Sequence, residues 1–238
     1  MPPRGRSATQ QHDNDGAGPS SSGLTFPEYV PFAITQSVLA EGVIPEDEVK
    51  AMIRRLTNRT NDDAFALVLR KVQADVKFLD IGIERVKLPA NKSWYLCAIN
   101  KDADESSKLM GSKYNAEQIQ YFKAVLEAIG KAAPPEEGLI AQVGRIALVN
   151  VDPLREPAGA GAAGEGGSQA AGAAARGGRK LSMVDKGELL KGFVQDGWLH
   201  EPRQGYYTMG PRTLSELKDY ALSVLHPEVA EELQRDYM

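Results

Sequence analysis

Apolar residues between positions 65 and 79 fall at Phe65, Val68, Leu69, Val72, Val76 and Leu79. Spacings of three and four put them on one side of a helix. Asn61 or Asp62 is placed to cap that helix. Two helices are predicted before it. The first opens with Pro31 at its first position, carries Phe32, Val38 and Leu39 as its apolar stripe and ends at Gly42. The second starts at Pro45 and gathers Val49, Met52, Ile53 and Leu56 on one face. The period then changes. IGIERVKLP (81–89) and SWYLCAIN (93–100) read as strands, and the intervening Ala90-Asn91-Lys92 suits a short hairpin loop. Three helices followed by a hairpin is the order of a winged helix.

Further along, Asn115 and Gln118 have the spacing of a capping box. They open a long helix whose buried face is Ile119, Phe122, Leu126 and Ile129. GLIAQVGRIALVN (138–150) is apolar with mixed periodicity and reads as a helix. Ser182 caps another helix, with Leu189, Leu190, Phe193 and Val194 turned inward and Gly197 closing it. WLHEP and GYYTMG then form a hairpin around Arg203-Gln204-Gly205. Pro211 starts a final helix striped by Leu214, Leu217, Ala221 and Leu225. The predicted class is mainly α with small β-hairpins (α+β), as tandem winged-helix domains.

Two stretches carry almost nothing to bury. Residues 1–25 are rich in Ser, Gly, Gln and Pro and read as a disordered tail. Residues 156–179 repeat Ala and Gly and read as a flexible insertion. The expected domains are 26–133, a first winged helix plus the following helix, and 134–238, a second one interrupted by the insertion.

The formal charge of the 238 residues is -4, so no global field draws the chain to DNA or a membrane. Contact with a polyanion requires a local basic surface. Cys97 is the sole cysteine, which excludes a disulfide framework and a Cys/His metal cluster. No apolar run approaches the roughly 18 residues of a membrane span, and the N-terminus does not have the pattern of a secretory signal.

Three segments resemble the non-SMC element 1 family, subunits of the DNA-repair complex that contains the fifth and sixth SMC proteins. They are FAITQSVLAEGVIPEDEVKAMI, YLCAINKDADESSKLMGSKYNAEQIQYFKAVLEAI and LLKGFVQDGWLHEPRQGYYTMGPRTLSELKDYALSVLHPE, in order across most of residues 32–227. The resemblance implies two winged-helix domains followed by a RING, binding to a MAGE-type subunit and a kleisin subunit, a nuclear location and ubiquitin-ligase activity. The sequence departs from the family where the zinc ligands should begin: SVLHPE runs on into AEELQRDYM. A cross-brace RING binds two zinc ions with four ligands each, whereas Cys97, His12, His200 and His226 are scattered. The expectation is therefore no RING, no cofactor and no catalysis by this chain alone.

The candidate contact residues surround the second hairpin. Lys186 and Lys191 are expected on the outward side of the helix before it and Arg203 at its tip, amid Arg176, Arg179, Lys180 and Arg212. Lys and Arg neutralising phosphates supply non-specific DNA affinity. Asp185, Glu188, Asp196 and Glu201 cancel much of that field, which favours a mixed solvated face over more than weak duplex contact. The same balance holds for Arg54, Arg55 and Arg59 beside Asp62 and Asp63. Alternation along a strand lets only one of Tyr206 and Tyr207 face the core, leaving the other for a partner. Cys97, between Leu96 and Ala98, reads as core. His200 and His226 read as surface residues. The leading reading is an architectural subunit that docks a MAGE-type partner. The rival is a stand-alone winged-helix regulator, for which the helix 183–195 offers few base-reading side chains.

Overall fold

The computed structural model of the chain describes residues 26–58, 62–101, 113–135, 138–152 and 181–237. The predicted tail 1–25, the insertion 156–179 and the cap at Asn61 lie outside them.

Helix α1 spans Tyr29–Glu41 and α2 Glu46–Thr57. Because α1 begins at Tyr29, Pro31 occupies its third position, where its missing N–H is one of those a helix start leaves unpaired. The start also sets the phase. Val30, Pro31, Ile34 and Val38 are buried, while Phe32 is 60% exposed and Leu39 is exposed, which corrects the expected stripe. Gly42, at φ +74°, ends the helix with its N–H on the Val38 carbonyl. Between the helices lies a strand the periodicity did not show, β1, Val43–Pro45. Pro45 sits where strand becomes helix and needs no N–H partner on an edge strand.

Helix α3 runs Asp62–Val76 with Phe65, Val68, Val72 and Val76 buried. A 3-10 turn, Lys77–Leu79, then breaks the period and leaves Leu79 exposed rather than buried. Strands β2, Ile81–Lys87, and β3, Trp94–Asn100, form the predicted hairpin, and the antiparallel sheet has the order β1-β3-β2.

Helix α4, Ala116–Lys131, begins with the capping box Asn115–Gln118 and buries Tyr121, Phe122, Val125, Leu126 and Ile129. Residues 138–150 do not form one helix. They hold a two-residue strand, β4 (Val143–Gly144), and a five-residue helix, α5 (Arg145–Val149), the strand being drawn into pairing with Tyr207 and Tyr206. Helix α6, Met183–Gln195, starts with a second capping box, Ser182–Asp185. It ends in a Schellman motif: Trp198 N–H reaches the Phe193 carbonyl, and Gly197, at φ +77°, reaches that of Val194. Strands β5 (Leu199–Arg203) and β6 (Tyr206–Met209) follow, in a sheet of order β4-β6-β5.

The predicted final helix breaks at Leu217 into α7, Pro211–Glu216, and α8, Lys218–Val224. Leu214, Leu217, Ala221 and Leu225 are nevertheless all buried. A further helix, α9, Pro227–Asp236, was not foreseen; it buries Leu233, and the Tyr237 carbonyl after it accepts the Lys87 N–H.

One element order thus occurs twice: helix, strand, helix, helix, strand, strand, with the third strand of each run central in its sheet. One core lies beneath α1, α2 and α3, the other among α4, α6 and the segments after β6. The first sheet serves both. Ile81, Ile83, Leu96 and Ala98 enter the first core; Val86, Tyr95, Cys97 and Ile99 enter the second. Burial there pushes the Cys97 thiol up to about 12, so it is an inert part of the core.

Under the first sheet Arg85 holds both carboxylate oxygens of Glu46, which also pairs with Lys50 at 3.0 Å. Burial alone would raise the Glu46 carboxyl, but the hydrogen bonds and charges of Arg85 and Lys50 outweigh it and leave the pKa lowered. A folded pKa below the unfolded one contributes stability that is present above the unfolded value and is lost as pH falls through the folded value. Arg85→Met is expected to cost about 1–3 kcal/mol at neutral pH and to flatten the loss of stability below pH ~4.5, read by urea unfolding across pH 3–7. At Gly130 a Cβ would overlap the Val224 carbonyl oxygen. Gly130→Ala, favourable by helix propensity, is therefore expected to destabilise by about 1–3 kcal/mol, measured by thermal unfolding.

Candidate partner interface

Helix α5, the start of α6 and the β5–β6 turn form one face of the second six-element run. Two features lock α5 there. The Arg145 N–H donates to the Gly205 carbonyl at 2.7 Å. Its guanidinium occupies the space that Gly187 leaves by having no side chain, with Nη2 2.5 Å from where a Cβ would stand. On the outside of this face Ile146 is 78% and Val184 74% exposed, and Met183 and Tyr206 are exposed beside them in sequence and sheet.

The predicted contact residues separate. Lys186 is not outward: it is 4% exposed, and its Nζ donates to the Val151 carbonyl (2.7 Å) and the Asp152 carboxylate (3.1 Å) above the Tyr121 ring (5.4 Å). The phase of α6 explains this, since Lys186, Leu190 and Phe193 recur at four and three on its buried side. Gly187 is buried under Arg145. The exposed stripe is instead Val184, Glu188, Lys191 and Gln195. Lys191 pairs with Glu188 at 2.9 Å. Arg203 lies at the hairpin, stacked on the Tyr206 ring at 3.8 Å. Tyr207 is the inward member of its pair, and burial raises its pKa. His200 is half-buried, and burial lowers its pKa. Arg176, Arg179 and Lys180 lie outside the described residues, as does Arg59; Arg54 and Arg55 are exposed in the last turn of α2.

Arg212, counted among the basic surface residues, is at the seam between the two runs. Its guanidinium lies 4.3 Å from the Trp198 ring, its Nε donates to Glu216 at 2.7 Å, and it borders Gly42. A second apolar feature was missed in the sequence: a groove of about 710 Å³ between α1 and α3, lined by Phe26, Tyr29, Phe32, Leu67 and Val68 with Lys71 and Asp75 at its polar side. The helix start at Tyr29 was the signal that would have exposed Phe32. Zinc finds no ligand set among the described residues: no three His, Cys, Asp or Glu side chains converge. No described helix is long and apolar enough to cross a membrane.

A sequence model of a family described as "Nse1 non-SMC component of SMC5-6 complex" matches residues 33–217. A chain of a solved structure described as "Nse1-Nse3-Nse4 complex" superposes with a TM-score of 0.61 at 18% identity, over 83% of this chain and 74% of that one. No curated protein matches.

The placement of the two lysines has a measurable consequence. Lys186→Ala removes a buried ammonium from the Val151 carbonyl and Asp152 carboxylate and is expected to cost about 1–3 kcal/mol; Lys191→Ala, losing one exposed pair, is expected to change stability by under about 1 kcal/mol. Urea unfolding of the two variants distinguishes them.

Proposed function

The chain belongs to the family of Nse1 non-SMC components of the SMC5-6 complex, and we propose that it serves there as a tandem winged-helix scaffold that docks a MAGE-type subunit. The repeated element order supports the winged-helix reading. On that reading we take α4 as the first helix of the second unit, since its buried face lies in the second core, which supports a boundary near Asn115 where residue 134 was expected. The solved complex names Nse3 and Nse4 beside the similar chain. For this chain they are the proposed MAGE-type and kleisin partners, with DNA repair in the nucleus as the setting.

The observation that carries the docking reading is the exposed apolar row Ile146, Met183 and Val184, flanked by Tyr206. Both lysines of α6 are already paired within the chain, Lys186 with Asp152 and Lys191 with Glu188. A partner that covers this face gains apolar burial at about 25 cal/mol per Å² without stripping water from lone charges. The same facts weaken the rival reading of a stand-alone regulator. A helix reading the major groove needs base-reading or phosphate-binding side chains on its outer stripe, and α6 offers an apolar residue, an ion pair and one glutamine. Weak duplex contact by this unit is left to Arg203 and to what its partner adds. Ubiquitin transfer, implied by the family resemblance, would be the work of a zinc-binding RING, and the described residues supply none of its ligands.

Co-expression with the MAGE-type subunit tests the proposal. Ile146→Asp and Val184→Asp are each expected to weaken the complex by at least tenfold, about 1.4 kcal/mol, with unchanged melting of the free chain. Wild-type affinity in both, with affinity lost in Phe32→Asp, would move the interface to the α1–α3 groove.

A further inference from the structure

The open end of the first hairpin carries chemistry that partner docking does not use. Helix α3 turns Asp63, Ala66, Arg70 and Ala74 outward, and Lys77 on the turn after it is exposed as well. Its last turn, the 3-10 turn and the ends of β2 and β3 enclose a hollow of about 530 Å³ lined by Gln73, Lys77, Asp80, Gly82 and Lys101. The hollow is held by backbone and side-chain bonds. Gln73 Nε2 donates to the Ile83 carbonyl at 2.9 Å, fixing helix to strand. Asp80, in the left-handed region at φ +56°, donates its N–H to Lys77 and accepts that of Lys101 at 2.9 Å. Lys101 lies over Gly82: a Cβ there would overlap its Cε and displace the end of the lysine.

Arg70, Lys77 and Lys101 make no ion pair among the described residues, in contrast to Lys71, which is paired with Asp75 at 2.7 Å. Among the described residues the acid in the lining is Asp80, and Asp63 lies further along the same helix stripe; Asp102, Asp104 and Glu105, next to Lys101 in sequence, lie outside the described residues. Beside Lys77 on the turn, Phe78 is 79% exposed, the most open of the large hydrophobic side chains described. Cations with no ion pair among the described residues, beside a hollow roomy enough to admit a nucleotide phosphate and next in sequence to a bare aromatic ring, are a combination that suits single-stranded nucleic acid. The cations follow the backbone, and a base stacks on the ring. A duplex keeps its bases stacked inside and has no use for Phe78.

We propose that this end of the first unit binds single-stranded nucleic acid, a backbone phosphate lying between Lys77 and Lys101 and a base stacking on Phe78. This is a different surface from the α5–α6 face, so it stands or falls independently of the docking reading. Small Ala66 and Ala74 on the α3 stripe let the strand continue toward Arg70.

The test uses the whole 238-residue chain and fluorescence anisotropy with a labelled oligothymidylate. Further arms are a duplex of equal length, competition by inorganic phosphate, and phosphatidylserine vesicles. Binding of the single strand is expected. Lys77→Gln with Lys101→Gln should weaken it at least tenfold and reduce the slope of log K against log salt by about 1.4, the effect of two lost phosphate contacts. Phe78→Ala should weaken single-strand binding about fivefold or more without altering any duplex affinity, and Gly82→Ala should reproduce the loss of Lys101. Lys191→Gln should bind as the wild type does. All substituted side chains but that of Gly82 are exposed, and thermal melts confirm that the variants are folded. Single-strand affinity unchanged in the lysine and Phe78 variants overturns the proposal. So does equal binding of duplex with no dependence on Phe78, or binding to vesicles or free phosphate alone.

Discussion

Strand β3 is the constraint around which the molecule is arranged. Its side chains alternate between two cores: Leu96 and Ala98 toward the first three helices, Tyr95, Cys97 and Ile99 toward the second run. A sheet with water on one face shows an apolar–polar alternation; one covered on both faces has no polar position to spare. That is why WYLCAI is apolar throughout. Helix α7 covers the second face, with Arg212 bridging to Trp198 and Glu216. Gly197 comes so close to Val43 that a Cβ would stand 3.0 Å from it. Because hairpin and cover share one core, the orientation of the two runs is set by side-chain packing rather than by a linker.

The two runs share a frame and differ in what they show to solvent. The third helix of the first, α3, and the turn after it carry Arg70 and Lys77, which make no ion pair among the described residues. The third helix of the second, α6, buries Lys186, pairs Lys191 and exposes Val184. The first hairpin's loop end is occupied, with Leu88 buried in the second core and Lys87 bonded to the Tyr237 carbonyl. Its opposite end is open. The second hairpin instead leaves its tip free, with Arg203 folded onto Tyr206. Packing one run against the other therefore decides which end of each is available.

Much of this was legible in the sequence. The capping box at Asn115, the cap at Ser182, the α3 period, the two hairpins and the stop at Gly197 follow from local rules that tertiary packing did not override. Besides helix α9 and the break at Leu217, what was not legible falls into two kinds. Strands β1 and β4, three and two residues long, are too short to show a period; they exist only because β3 and β6 have an unpaired edge to offer. The others are errors of phase. Phe32 and Lys186 were assigned sides by residue type. A shift of the α1 start exposes a phenylalanine, and a core-facing position in α6 holds a lysine because two oxygens and a ring receive its ammonium. A lone lysine at such a position is indistinguishable from a surface one until its partners, 34 and 35 residues earlier, are known to be near.

Charge distribution, more than net charge, separates the two candidate surfaces. A total of -4 conceals an α5–α6 face where acids sit beside bases and an α3 end where Arg70, Lys77 and Lys101 are exposed near Asp80. Neutralised charge with exposed aliphatic side chains suits a lasting protein contact, since little hydration is given up on closure. Unpaired lysines remain hydrated and favour a polyanion that can release its counterions. The shared sheet holds both surfaces on one rigid body, so a partner seated on α6 would not have to loosen the first unit for the α3 end to remain accessible.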